Sequence, residues 1–454
     1  MTLPHAISQG WRKMSANTPN VRILRATLIV GGMTFSVKLI SMVKDAATAR
    51  VFGVSDAMDA FLIAFLVPSF VVNVVAGSLN AALVPTYIQI RENEGSEAAH
   101  RLFSDTIVLS SALFLAATAL LAFAGPWVLP VMGAGFSVSK MALTQSLFYM
   151  LLPVVFLNGL ATLWSAVLTA SERFALSTLV SGLVPAAQLT ALLVSTLGIY
   201  ALVIGTVTGF AAQLGFLVWG LRQQRIAFRP RWPDLSPALK QVLGQYLPMI
   251  AGAAIMSSTL LVDQSIASLL APGSVATLNY GNKLVALIMG IGGMALATAV
   301  LPYFSKMVAV KDWKAVRHSL KTFGLLILAT SLPLTVLVIV LSTPLVQLLF
   351  QRGAFTAQDT IAVSQVQAMY VLQVPFYALG MLFVRLISSL RANSILMWGT
   401  AINFLINIML DYLFMSWWGV AGIALSTACV YVISCFYLGV MLRWKLKQMD
   451  SVAG

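Results

Sequence analysis

The stretch TFSVKLISMVKDAATARVFGVSDAMDAFLIAFLVPSF, Thr34–Phe70, decides how the whole chain is read. It reads as the end of one membrane helix and the start of the next, yet it carries Lys38, Lys44, Asp45, Arg50 and Asp59. Working outward, apolar runs of about 20 residues recur from end to end, long enough to cross a hydrocarbon core of roughly 30 Å. The 454 residues are 59% hydrophobic and 9% charged, where a soluble domain carries roughly 25% charge. The expected class is therefore an all-α polytopic membrane protein.

The net charge of +14 does not indicate a nucleic-acid partner, because the cations fall in short loops between apolar runs and no soluble basic domain exists to present them. Cys429 and Cys435 both lie in the last apolar run, without metal-ligand spacing. The polar N-terminus, through about Asn20, shows no cleavable signal peptide.

Twelve helices are expected, centred on 27–47, 59–88, 104–131, 144–170, 175–196, 200–221, 241–270, 275–304, 322–350, 361–389, 395–416 and 420–442. With a cytoplasmic N-terminus, twenty-one basic residues fall in inside segments and two, Lys140 and Arg352, in outside loops. That asymmetry places both termini in the cytoplasm. Five cations are left within or at the ends of helices: Lys38, Lys44, Arg50, Lys283 and Arg385.

The basic, Pro-containing connection RQQRIAFRPRWPDLSPALK bisects the chain. The halves resemble each other: Leu79, Ala82 and Pro85 can be laid over Leu296, Ala299 and Pro302. The expected organisation is a cytoplasmic segment 1–24, an N-lobe 25–222, a basic linker 223–240, a C-lobe 241–443 and a cytoplasmic tail 444–454. Transporters built from such repeats bind substrate between them, near the midplane.

A Lys or Arg at the centre of a membrane helix costs about 2.5–3.5 kcal/mol on insertion scales, so these five need an account. Arg50 and Arg385 are placed to snorkel, stem in lipid and cation at the headgroups. Lys38, about ten residues into its helix, is less well placed for that. Lys38 and Asp45 are seven apart and share a helix face, with Lys44 alongside, so internal pairing is a second reading. The third is a hydrated cavity that receives an anion: Lys38, Lys44 and Lys283 come from the first helices of the two lobes, and clustered cations there favour phosphate or pyrophosphate. An anionic headgroup is the preferred substrate, and drug-like cations would be repelled.

A second set is acidic. Asp263 interrupts SSTLLVDQSIASLL, while Asn407 and Asp411 stand at i, i+4 in INFLINIMLDYLF and so project from one face. A short hairpin would bring Thr427 antiparallel to them. Such oxygens suit a hard monovalent cation such as Na⁺. The competing reading has Asp411 hydrated near a helix end and Asn407 bonded across helices.

Three stretches carry a family resemblance. The segment from Lys38 to Phe70 resembles the N-terminal signature of the MurJ family, which contains the bacterial lipid II flippases of the multidrug/oligosaccharidyl-lipid/polysaccharide exporter superfamily. NYGNKLVALIMGIGGMALATAVLPYFSK (279–306) and LFQRGAFTAQDT (349–360) are similar to two further family segments, in the same order. The resemblance implies two lobes in a V around a cationic cavity, alternating access, and a multi-pass protein of the bacterial cytoplasmic membrane. It aligns Lys38, Lys44 and Lys283 with cavity arginines that engage a substrate pyrophosphate. It matches Asp59 to the acid of a conserved turn, with Asp45, Arg50 and Arg385 as supporting charges. It sets Asp263, Asn407, Asp411 and Thr427 on the pattern of a sodium site.

Departures bear on the substrate. The cavity arginines are lysine here, keeping charge but losing the bidentate fork. Val72, Asn73 and Gly77 stand where lipid II flippases have an arginine pair and a glutamate, the segment around SSLRANS is short, and twelve helices replace the usual fourteen. The expectation is a monomeric flippase, with no catalytic residues, for an undecaprenyl-pyrophosphate-linked glycan. The glycan is lipid II or an exopolysaccharide unit made by associated synthesis enzymes, and the drive is the membrane potential or an ion gradient, with Na⁺ the candidate coupling ion. A cation-coupled multidrug exporter is the alternative.

Overall fold

The computed structural model describes residues 19–171, 174–194, 196–223, 237–390 and 392–453, with side chains from residue 31 onward except 174–175, 294–302 and 450–453. The N-terminal segment to residue 18, linker residues 224–236, Arg173, Arg391, and the side chains of Leu296, Ala299 and Pro302 lie outside that description.

The described chain is helical, without strands. The helices are α1 (Pro19–Phe52), α2 (Asp56–Glu94), α3 (Ser96–Met132), α4 (Val138–Leu151), α5 (Pro153–Ala170), α6 (Phe174–Val180), α7 (Leu183–Val194) and α8 (Tyr200–Gln223). They continue as α9 (Pro237–Ser268), α10 (Ser274–Ala309), α11 (Trp313–Val340), α12 (Ser342–Phe350), α13 (Ala357–Val371), α14 (Val374–Ser389) and α15 (Asn393–Ala453). Among the described residues nine helical segments are long and apolar enough to cross a membrane, the last holding two of the expected helices. With α1 and α10, described only in part, they account for the twelve expected segments. The apolar side chains turned outward, such as Phe123, Trp127, Val138 and Leu193, are what a bilayer solvates.

Proline places several breaks. Pro153 opens α5 directly after α4, and Pro375 sits in the first turn of α14. Proline lacks the N–H that would continue the preceding ladder, so α13 stops and α14 starts within three residues.

By proximity the chain falls into two units. The first comprises the chain to Asp45, Leu79–Ala117 and Pro153–Tyr246. Its tightest feature is the α7–α8 hairpin, where Gly205 and Gly209 form a GxxxG face. A Cβ at Gly205 would lie 2.6 Å from Gln188 Cα, and one at Gly209 would lie 2.7 Å from Val184 Cα. Small residues at this spacing let membrane helices approach backbone to backbone. Gln188 Nε2 donates to Thr206 Oγ1 at 2.7 Å between the same helices, satisfying a polar pair that lipid would leave bare.

The second unit comprises Ala46–Ser78, Thr118–Leu152 and Leu247 onward. One of its cores gathers Ile63 of α2, Ile266 of α9, Leu278 of α10, Val338 of α11, Tyr370 of α13 and Ile423 of α15. This grouping by proximity cuts through α1, α2 and α3, so it is a different partition from the sequence lobes. α15 is two helices joined at Gly419, whose φ of 56° and ψ of −132° leave the helical region. Asn403 Nδ2 donates to Ser434 Oγ at 2.9 Å and the Tyr437 hydroxyl to the Ile395 carbonyl at 3.3 Å. Those pairings make the two arms an antiparallel hairpin, as the position of Thr427 required.

Candidate functional site

The hairpin builds the acidic site. Asn407 and Asp411, one turn apart on its first arm, are both 0% exposed, and Asp263 of α9 is 5% exposed. Thr427, on the second arm, donates to Asp263 Oδ2 at 3.4 Å. Asn407, Asp411 and Thr427 all lie close enough to interact with the Asp263 carboxylate. Hydration of Asp411 near a helix end, the competing reading, does not hold: the side chain is enclosed.

Beyond the Thr427–Asp263 bond, the polar atoms of Asp263, Asn407 and Asp411 go unpartnered. Asp263 Oδ1, both Asp411 oxygens, and Asn407 Oδ1 and Nδ2 are buried without a hydrogen-bond partner among the described residues. Two like charges about 4 Å apart interact by roughly 4 kcal/mol at an effective dielectric of 20, and buried charges are ordinarily paired or bound to a cation. The donor set is all oxygen apart from the amide nitrogen. Among the described residues no group of three or more His, Cys, Asp or Glu comes together, so these two carboxylates suit a monovalent ion better than a divalent one. The residues fit a Na⁺ ion.

The cations are arranged differently. On α1, Lys38 is exposed and Lys44 is half-buried, with Nζ ion-paired to Asp45 Oδ1. Asp45 thus pairs with its neighbour rather than with Lys38 across two turns. Lys283 is half-buried on α10 and Arg385 half-buried on α14, where the buried Nε has no hydrogen-bond partner among the described residues. Arg50 is exposed; its carbonyl accepts the Ala354 N–H at 2.8 Å, tying the end of α1 to the 349–360 loop.

Asp59 has the most developed surroundings. It is 1% exposed and accepts the N–H of Gly273 and of Ala276, both at 2.7 Å. Gly273 is the N-cap of α10 and has no side chain to do this, so Asp59 caps α10 from another helix. It also accepts from Lys140 Nζ at 2.7 Å, while Asp56 Oδ1 takes the same ammonium at 2.6 Å. The ammonium stands 4.0 Å from the centroid of the Phe136 ring. Lys140 was legible in the sequence only as an outside-loop cation. It is in fact 8% exposed, in the first turn of α4, and joins α2, α4 and α10 into one clasp. No sequence signal marks it, since its partners are 81 and 84 positions away.

A family model described as lipid II flippase MurJ matches residues 48–452. The chain belongs to the MurJ family. The match covers Asp59, Lys283 and the acidic quartet, and begins four residues after Lys44. The probable lipid II flippase MurJ of Synechocystis is 24% identical over 437 residues, covering 93% of this chain and 82% of the relative. The lipid II flippase MurJ of Burkholderia cenocepacia is 27% identical over 364 residues, covering 77% and 70%. Among solved structures, a lipid II flippase MurJ in an inward closed conformation aligns with TM-score 0.77 and 24% identity, over 92% of this chain and 87% of that one. An inward-facing MATE-family multidrug transporter of the MOP superfamily aligns at 0.79 with 13% identity, over 93% and 99%. The fold is thus shared with that transporter, and the family match over residues 48–452 sets this chain with the flippase family.

Proposed function

We propose that this MurJ-family protein is a flippase that moves an undecaprenyl-pyrophosphate-linked glycan across the bacterial cytoplasmic membrane, leaving it chemically unchanged. The observation that carries the reading is the family match over residues 48–452. Lys38, Lys44 and Lys283 attract the pyrophosphate, each as a point charge rather than a bidentate fork. The polyprenyl tail stays in lipid. Asp45, paired with Lys44, moderates the charge of that pair so that the anion is held weakly enough to leave. With three lysines and without the arginine pair at Val72 and Asn73, the headgroup pocket suits a cell-surface glycan intermediate as well as lipid II.

Asp263, Asn407, Asp411 and Thr427 hold Na⁺ as the coupling ion. When bound, it supplies the positive charge that lets both carboxylates stay ionised in a buried site. One charge moving through the membrane field is worth about 2.3 kcal/mol per 100 mV, so a few coupled charges suffice to reorient the protein.

The test is leaflet-specific accessibility of a defined polyprenyl-pyrophosphate glycan in vesicles reconstituted with the full chain. Lys38→Ala and Lys283→Ala are each expected to cut the flipping rate at least tenfold, roughly the loss of one charge-assisted contact, and Lys283→Arg to retain it. Preference for organic cations over the pyrophosphate lipid would instead establish the exporter reading. Asp411→Asn is expected to abolish the sodium dependence of flipping while leaving substrate capture by the vesicles unchanged. Equal sodium dependence in the variant would remove Asp411 from the coupling site.

A further inference from the structure

Arg385 is left unused by the flippase reading. It stands on α14 one turn before the helix ends at Ser389, and it is half-buried. None of the ion pairs among the described residues includes it, and its enclosed Nε–H finds no acceptor there. A snorkelling arginine keeps its donors in headgroup water. This one keeps a donor shut in the protein and unsatisfied, which costs free energy. Its neighbours Leu382, Leu386, Ile387 and Leu390 fix this end of α14 in a core with Phe304 and Leu442. The depth of Arg385 follows from contacts with α10. A Cβ at Gly293 would stand 2.8 Å from the Tyr377 hydroxyl. Twelve residues further along each helix, Ser305 Oγ lies 3.4 Å from Ser389 Oγ. The equal spacing makes α10 and α14 parallel and in register, both running toward the basic α10–α11 turn around Lys306, Lys311 and Lys314. Lys283 lies ten residues before Gly293, and Arg385 eight after Tyr377. At 1.5 Å per residue, Arg385 is about 27 Å nearer the basic end than Lys283.

We infer that Arg385, with the Ser389 and Ser305 hydroxyls, is an entry subsite for the substrate's pyrophosphate at the basic, cytoplasmic end of α10 and α14, and that Lys283 takes the group later in its passage. The lysines offer point charges, whereas Arg385 has the planar fork that a phosphate accepts bidentately. A pyrophosphate that draws the guanidinium outward takes up the Nε–H together with an Nη–H and so relieves the unsatisfied donor. Ser389 is one turn on from Arg385, and its hydroxyl donates to the Arg385 carbonyl at 2.9 Å. Hydroxyl protons rotate to suit an acceptor, so the serine pair can turn toward the same phosphate. Bidentate capture then stands where the headgroup arrives from the inner leaflet, and single-point contact stands where it has to be let go. This inference rests on the flippase reading.

The experiment titrates the full chain in detergent with undecaprenyl pyrophosphate and reads the bound fraction by native mass spectrometry. Undecaprenyl monophosphate and phosphatidylglycerol are the comparison ligands. Wild type, Arg385→Gln, Arg385→Lys and Lys283→Ala are compared, each with its unfolding temperature. Arg385→Gln is expected to weaken pyrophosphate binding about tenfold, the scale of one charge-assisted hydrogen bond, and the monophosphate less. Arg385→Lys is expected to weaken it roughly threefold or more with the unfolding temperature unchanged, because the charge returns without the fork. Wild-type affinity in Arg385→Lys overturns the inference, and that variant decides if Arg385→Gln does not fold. A loss confined to phosphatidylglycerol also overturns it, by making Arg385 a phospholipid contact. In either case weakened pyrophosphate binding by Lys283→Ala leaves the flippase reading standing. A wild type that binds the pyrophosphate lipid no better than phosphatidylglycerol overturns both.

Discussion

Asp59→Ala is expected to destabilise the protein by about 3 kcal/mol, the lower end of the cost of breaking a buried ion pair by removing one partner. Three losses coincide. The ammonium of Lys140, enclosed in the protein, keeps only the half-exposed Asp56 as its carboxylate. The N–H groups of Gly273 and Ala276 lose their acceptor, and removal of an N-cap alone costs about 0.5–2 kcal/mol. The negative charge at the positive end of the α10 dipole is lost as well. Lys140→Met should be milder, because Asp59 then still has both amides, and the double variant should cost less than the two singles added. Thermal or denaturant unfolding of the four proteins in one detergent measures this. An Asp59→Ala protein within about 1 kcal/mol of wild type would mean that the clasp is held by apolar packing instead.

Gly422→Ala is expected to open the α15 hairpin. A Cβ at this position would overlap the carbonyl of Phe414 on the opposite arm, in contact also with the Met415 nitrogen. Both neighbours are backbone, so no rotamer change relieves the overlap. Overpacking of this kind costs about 1–3 kcal/mol. The larger consequence is functional, because Asn407 and Asp411 lie on one arm and Thr427 on the other. Spreading the arms separates the oxygens that form the cation site. Gly422→Ala should therefore lose sodium-dependent stabilisation altogether, while Gly380→Ala, where a Cβ meets nothing within 4 Å, should keep it. Retention of a wild-type sodium midpoint by Gly422→Ala would show that the arms can part without dismantling the site.

Most of the fold was legible because hydropathy and loop charge are local signals. Apolar runs and the asymmetric placement of cations need no knowledge of tertiary contacts. The acidic quartet was legible in part: Asn407 and Asp411 share a face by spacing alone, but their enclosure depended on the hairpin at Gly419. The sequence could not distinguish a hydrated Asp411 from a buried one until that turn brought Thr427 and α9 against it. Lys140 escaped because a lysine after a short polar turn is ordinarily a solvated loop cation, and nothing local announces a buried carboxylate more than eighty positions away.

The turn at Gly419 bears on how the protein is made as well as on how it works. A helix entering the bilayer alone with Asp411 two turns from its end would meet part of the roughly 2.5–3.5 kcal/mol that an aspartate costs at a helix centre. The arms of α15 are joined without an intervening loop and bonded through Asn403–Ser434 and Tyr437–Ile395. They are thus suited to leave the insertion machinery as one paired element, with Asn407 and Asp411 turned toward the sister arm and α9 rather than toward lipid. The same bend that assembles the cation site spares its acid a solitary passage into the membrane.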